Sequence, residues 1–373
     1  MRVGAVGCGN IAATYFRNLR MFPAVDLVAC CDLDPDAARQ LAVQFGLEAL
    51  PVTQLLQRED IDLILNLTPP AAHAELSLAA IDAGKHVFSE KPLAISLPDA
   101  MHIAAAASAR GVRVGSAPDT FLGPGTQLPR RLMDEAALGT IVSGTAAFMS
   151  HGMEHWHPNP NFFYQPGGGP VLDMGPYYLS ALVALLGPIR RVSAHGCRAF
   201  RERLVTAAGP MQGRAVTVEA LTTVNALLSF REGAEIVLMT SWDVWRHSLP
   251  PIEIHGSQAS LRLPDPDLFG GVVQIARGRE AFVPIDTSYE PFGKANGRDS
   301  DMQAADYRGV GLAEMADAIA NQRPHRCSSE LALHVLAVMV GILDSADSGR
   351  SVDISVSCER PASLAPDEAR KLC

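Results

Sequence analysis

The chain has 373 residues, 48% hydrophobic and 19% charged, with a net charge of −9. That length exceeds one ordinary hydrophobic core, so two domains are expected, and the negative balance without a long basic run argues against nucleic acid or an anionic membrane as a partner. No apolar stretch reads as a membrane span, the N-terminus has no signal-peptide layout, and seven scattered cysteines without CxxC spacing point to reduced thiols in a cytoplasm.

The chain opens on a short buried-strand pattern, Arg2-Val3-Gly4-Ala5-Val6, followed at once by Gly7-Cys8-Gly9-Asn10-Ile11-Ala12 and a helical stretch to about residue 21. This is G-x-G-x-x-A between a strand and a helix, the context a dinucleotide-binding turn requires. Gly7 permits the turn, Gly9 lets backbone N–H groups approach a pyrophosphate, and Ala12 lets helix and strand pack closely. With Asn10 and Ile11 these positions are expected to bind the cofactor over the positive end of the helix. Leu27-Val28-Ala29-Cys30-Cys31 reads as a second strand ending in Asp32, at the roughly 20-residue spacing of a carboxylate that accepts from ribose hydroxyls. Asp32 would repel a 2′-phosphate, and the next residues add negative charge, so NAD is preferred, with NADP possible. The third strand, residues 61–67, leads into Thr68 and Pro69, which would line the crevice under the cofactor. His73 follows on the first turn of the next helix, either touching the cofactor or lying on the helix surface. Gly84 ends that helix.

His86-Val87-Phe88 is then an apolar run that stops at Ser89-Glu90-Lys91-Pro92. Side chains at the carboxyl end of a parallel strand face the ligand crevice. Lys91 there can hydrogen-bond a substrate hydroxyl and stabilise negative charge as its proton leaves, and Pro92 fixes the turn that aims it. Ser96-Leu97-Pro98-Asp99 opens an alanine-rich helix, stopped by Gly111 before one more strand. Strand and helix alternate throughout residues 1–121, which implies a doubly wound parallel sheet. The glycine turn with Glu90-Lys91-Pro92 resembles the Gfo/Idh/MocA oxidoreductases. The resemblance implies a nicotinamide-binding Rossmann domain, then an α/β domain with a large open sheet over residues 122–373, and a catalytic, substrate-binding lysine at Lys91. Glu90 would stand beside the cofactor with it.

In the second domain a strand over residues 141–150 precedes the polar loop His151-Gly152-Met153-Glu154-His155-Trp156-His157. Its three histidines do not complete a zinc set, since no other ligand cluster accompanies them. His155 and Trp156 suit a sugar, whose C–H face can lie on an aromatic ring while its hydroxyls meet imidazole; an ordinary surface loop is the other reading. Next comes Gly167-Gly168-Gly169-Pro170-Val171-Leu172-Asp173-Met174-Gly175-Pro176-Tyr177. Asp173 and Tyr177, four apart, share one face at the start of a helix. The segment resembles the family's glycine–aspartate motif, with tyrosine at Tyr177 where many members carry histidine. This implies Tyr177 as the acid/base, with the Lys91 ammonium expected to favour its phenolate. Asp173 would bind a neighbouring hydroxyl or orient the lysine. Strands with short turns follow, including one over residues 216–224 and a hairpin over 252–256 and 259–263, giving a mostly antiparallel sheet. Helices at 311–320 and 331–346 would cover one face and a second subunit the other, as a homodimer or homotetramer. Residues 286–306 read as a lid or a mobile loop, and those after Ser357 as a loose tail.

The expected function is hydride transfer between nicotinamide and a hydroxyl of a sugar, polyol or related cyclic carbohydrate. Transient use of bound NAD to cleave a glycosidic bond, and a non-catalytic nucleotide sensor, are the alternatives. No metal is expected.

Overall fold

Six parallel strands from the front of the chain form one sheet in the order β3-β2-β1-β4-β5-β6. They are β1 (Arg2–Val6), β2 (Asp26–Cys31), β3 (Glu48–Ala49), β4 (Leu63–Asn66), β5 (His86–Ser89) and β6 (Val114–Ser116). The computed structural model describes residues 1–296 and 305–373. β4 is buried along its whole length, as expected where helices cover both faces of a parallel sheet. The intervening helices start and stop on local signals. Asp34 caps Pro35–Phe45 by accepting from Asp36 N, and Gly46 ends it in the left-handed region. Ser96 caps Leu97–Arg110 in the same way through Asp99 N. The strand order reverses between β1 and β4, and a crevice opens at the carboxyl ends of such strands.

Among the described residues the second sheet has nine strands in the order β16-β15-β14-β13-β7-β12-β11-β8-β17. In chain order these are β7 (Ile141–Met149), β8 (Ile189–Cys197), β11 (Thr223–Phe230), β12 (Glu235–Ser241), β13 (Ile252–Gly256), β14 (Ala259–Leu263), β15 (Val273–Arg277), β16 (Val283–Ile285) and β17 (Val352–Asp353). Only β7 and β12 pair in parallel; the other neighbours are antiparallel. Alternate residues such as Ile236, Leu238, Ile252, Ile254 and Leu261 are buried on the face covered by the helices Pro124–Asp134, Pro170–Leu186 and Ser329–Ser348. The last is long and apolar enough, by length and composition, to cross a bilayer, contrary to the sequence reading; it packs as a core helix on β8 and on Pro170–Leu186. On the opposite face Leu227 and Val237 pair across β11 and β12 and remain 42% and 40% exposed.

Two expectations are corrected here. The strand expected over residues 216–224 is broken. Its first part, β10 (Ala215–Thr217), pairs with β9 (Glu202–Leu204) in a separate ribbon, which packs with Met153, Phe163, Tyr164 and Trp242 in a satellite core. The tail after Ser357 is not loose. Leu364, Ala369 and Leu372 are buried, Arg326 donates to the Ala362 and Ser363 carbonyls at 3.0 and 2.9 Å, and Leu364 N donates to Gln127. The second domain also contacts the first sheet. The helix Val310–Ala320 packs on β6, and Ser116 N donates to the Cys327 carbonyl at 3.0 Å. The lid or loop expected over residues 286–306 falls partly outside the described residues.

Candidate active site

Gly7 has φ +100°, and a β-carbon there would lie 2.6 Å from the Leu67 carbonyl carbon and 2.8 Å from Thr68 N. No other residue fits that turn. At Gly9 a β-carbon would meet nothing within 4 Å, so the glycine leaves open space against the start of the helix Ala12–Leu19. Ile11 caps that helix and Asn10 is exposed beside it. Asp32 stands at the end of β2 with a double task. Its Oδ2 accepts from Cys8 N at 2.6 Å and its Oδ1 from Asp34 N at 2.9 Å, which ties the glycine turn to the strand. A carboxylate has further lone pairs for ribose hydroxyls. Glycine turn, helix start and carboxylate together fit a dinucleotide.

Thr68 and Pro69 follow β4 at the crevice, but His73 is fully buried and cannot touch a cofactor. Its ring nitrogens lie 2.7 Å from the Pro92 and Thr68 carbonyls. Buried Asn66 completes the latch. It donates to the His73 carbonyl at 3.2 Å and accepts from the Thr68 hydroxyl at 2.7 Å. Helix pattern alone could not separate this inward histidine from a surface one. Glu90, expected at the cofactor, is also committed to protein. Oε1 accepts from the Tyr15 hydroxyl at 2.7 Å and Oε2 from Lys91 N at 2.8 Å, so it braces the turn that presents Lys91.

Lys91, Asp173 and Tyr177 come together from the two domains. Lys91 Nζ donates to the Asp173 carbonyl at 2.8 Å and to Asp173 Oδ1 at 3.2 Å, and lies 5.0 Å from the centre of the Tyr177 ring. The helix Pro170–Leu186 makes this possible: Asp173 occupies its first turn, and Tyr177 lies one turn further on. Burial alone would pull the Lys91 ammonium down. Tyr177 once ionised, Asp173 and Glu90 outweigh it and carry the pKa above the ordinary lysine range. For Tyr177 the balance runs against the sequence expectation. Burial raises the phenol well above its ordinary value, and the opposing effect of Lys91, with a smaller one from Arg308, does not cancel it. The side chain is therefore a neutral phenol beside a permanent ammonium. Among the described residues its hydroxyl has no hydrogen-bond partner, and the third N–H of Lys91 is likewise left over.

Four further residues escaped the sequence reading. Tyr15 is fully buried under Glu90. Asp119, also buried, accepts from Gly309 N and Gly311 N at 2.8 and 2.9 Å. Burial raises it, against those two N–H groups, to about 6. Arg308 and Asp267 form an ion pair at 2.7 Å whose charges both act on Tyr177. None sits in a motif. The Asp265-Pro266-Asp267 run was the sole local signal. The His151–His157 region does not gather its imidazoles. His151 stacks on Trp245 with ring centres 3.4 Å apart, while His157 packs edge-on against Trp156 and Phe163. Trp156 is 56% exposed, and His155 is exposed beside it.

This architecture is that of a two-domain protein with a dinucleotide-binding crevice. Residues 1–117 match the oxidoreductase family with an NAD-binding Rossmann fold, and residues 126–262 match the Gfo/Idh/MocA C-terminal domain. The chain belongs to the Gfo/Idh/MocA family. It is 30% identical over 239 residues to a dTDP-3,4-didehydro-2,6-dideoxy-alpha-D-glucose 3-reductase of Actinomadura kijaniata, covering 62% of this chain and 66% of that protein. It is 40% identical over 116 residues to inositol 2-dehydrogenase 3 of Saccharopolyspora erythraea, covering 31% of this chain and 34% of the relative. The aligned stretches thus span two thirds or less of those relatives' own length. In fold, an NAD-binding oxidoreductase from Klebsiella pneumoniae superposes with a TM-score of 0.81 at 24% identity, covering 95% of this chain and 98% of that one. Levoglucosan dehydrogenase in complex with NADH and L-sorbose gives 0.80 at 21% identity, covering 95% and 99%.

Proposed function

We propose that this protein is an NAD-dependent oxidoreductase that moves a hydride between the nicotinamide and a hydroxyl-bearing carbon of a sugar or polyol ring. The observation that carries this reading is the meeting of Lys91, from the end of β5, with Asp173 and Tyr177 of the second domain. The cofactor supplies the hydride acceptor or donor. Lys91 holds the reacting oxygen with its remaining N–H, while Asp173 takes the other two and fixes the ammonium. As a carbonyl is reduced, the neutral Tyr177 phenol gives its proton to the developing alkoxide, directly or through water. In the opposite direction the phenol must first lose that proton, so oxidation is favoured by rising pH. Glu90, Tyr15 and the His73 latch keep the Lys91 turn in place. His155 and Trp156 offer an aromatic face and an imidazole to the ring. The open face of the nine-stranded sheet, with Leu227 and Val237 exposed, suits a second copy of the chain. Similarity to an inositol dehydrogenase supports the substrate class.

The test is steady-state oxidation and reduction of a carbohydrate panel by the wild type and by Lys91→Ala, with NADH binding followed by fluorescence. Loss of turnover with nucleotide still bound supports the assignment. Normal turnover by Lys91→Ala ends it.

A further inference from the structure

Arg308 and Asp267 reach the site by a route that no motif announces. The segment carrying Arg308 is stapled to the first domain. Asn18 Nδ2 donates to the Asp306 and Arg308 carbonyls, each at 3.2 Å, and the buried Asp119 carboxylate takes the Gly309 and Gly311 N–H groups. From that anchorage the guanidinium crosses to the second domain. Nη2 donates to Asp267 Oδ1 at 2.7 Å and to the Asp267 carbonyl at 3.3 Å, and Nη1 donates to Asp306 Oδ1 at 3.3 Å. A guanidinium has five N–H groups, so these bonds leave donors over. Asp267 is 35% exposed. It lies in the turn after β14 that also holds Asp265, which is within 3.5 Å of the hydroxyl of Tyr178, the neighbour of Tyr177.

The charges around this point are unequal. Carboxylates from Glu90, Asp173, Asp267 and Asp306 stand around two cations, Lys91 and Arg308, and each cation already has a carboxylate partner. A ring hydroxyl can donate to such a carboxylate and accept from the guanidinium. Among these described groups the carboxylates outnumber the cations, so a carboxylate or phosphate carried by the ring would meet surplus negative charge.

We propose that Arg308 and Asp267 are the specificity-determining pair of this site: they hold ring hydroxyls beyond the reacting carbon, and they select a ring that carries no carboxylate or phosphate of its own. This rests on the hydride-transfer reading above. Arg308 acts from both domains at once, so it also sets how the second domain meets the Lys91 turn.

The test pairs neutral pyranoses and cyclitols with their own uronates or ring phosphates. Turnover is measured with NAD, and binding through the change in fluorescence of bound NADH. The neutral member of each pair is expected to have a kcat/KM at least about tenfold higher. Asp267→Asn should narrow that ratio by about tenfold, and Arg308→Lys should raise KM for the neutral ring more than it lowers kcat, with NADH affinity unchanged in both. A uronate or phosphate used as well as its neutral partner overturns the proposal, as does an unaltered ratio in a folded Asp267→Asn. If that variant does not fold, the wild-type pairs still decide. Neutral rings bound without any turnover would uphold the charge preference and instead remove the hydride-transfer reading.

Discussion

The dinucleotide crevice and the Lys91 cluster are built in opposite ways. The crevice is made of neighbours in the chain, and much of its work falls to backbone: a turn at Gly7, open space at Gly9, N–H groups at a helix start, and one carboxylate that ties the turn to β2. The cluster is made of side chains from four distant segments, around residues 15, 90, 173 and 308, and it works through burial and charge. A backbone site should fail when space is filled. A side-chain site should fail when one group is removed or its ionisation changes.

The largest expected effect is on the cluster. Lys91→Ala should lower kcat by about 10³-fold and leave NADH affinity within experimental error. Weakened nucleotide binding in that variant would mean the two regions are one. Tyr177→Phe should lose about 10²-fold in kcat. In the wild type, oxidation should climb steadily with pH from neutrality while reduction stays flat, because burial keeps the phenol protonated. A plateau of the oxidation rate below pH 8, abolished in Tyr177→Phe, would place the phenol lower than its surroundings imply.

Asp119 tests the brace behind the cluster. Its folded pKa is raised to about 6, so its contribution to stability is fully present below the unfolded carboxylate value and is lost as pH rises through 6. The change is on the order of 3 kcal/mol. Chemical denaturation of Asp119→Asn between pH 4 and 7 should show a correspondingly flatter slope than the wild type. An unchanged slope would assign the titration elsewhere.

The crevice is probed by a pair of glycine variants. Gly7→Ala should cost about 2 kcal/mol or more of stability, since it combines a left-handed φ with contact to rigid backbone. Gly9→Ala should leave the melting temperature within a few degrees and weaken NADH by about tenfold, since its β-carbon would meet no protein atom within 4 Å and would narrow the space over the helix start. If both variants are equally unstable, the open space at Gly9 is not a ligand cradle.

The crevice was legible because each of its requirements is local. A glycine turn between strand and helix, and a carboxylate at the end of the next strand, are fixed by chain spacing. Glu90-Lys91-Pro92 and the Asp173–Tyr177 pair were legible for the same reason, one at a strand end and one at helical spacing. What each group does there was less so. His73 fits a helix surface by pattern yet lies inside, held by two carbonyls from separate loops. Tyr177 was expected to be drawn toward phenolate by Lys91. Burial acts the other way with greater weight, and burial is a property of the packed domains, not of a four-residue spacing.

By itself the sequence determined two domains, an α/β fold with a parallel sheet in front and a large, mostly antiparallel sheet behind, the dinucleotide turn, and the identities of Lys91, Asp173 and Tyr177. Tertiary structure alone decided which of these meet, which polar atoms are already taken, and that Tyr15, Asp119, Asp267 and Arg308 surround them. The reason is range. Turns, caps and strand patterns are settled within a few residues of the chain, whereas ionisation and contact depend on what long-range packing excludes from water.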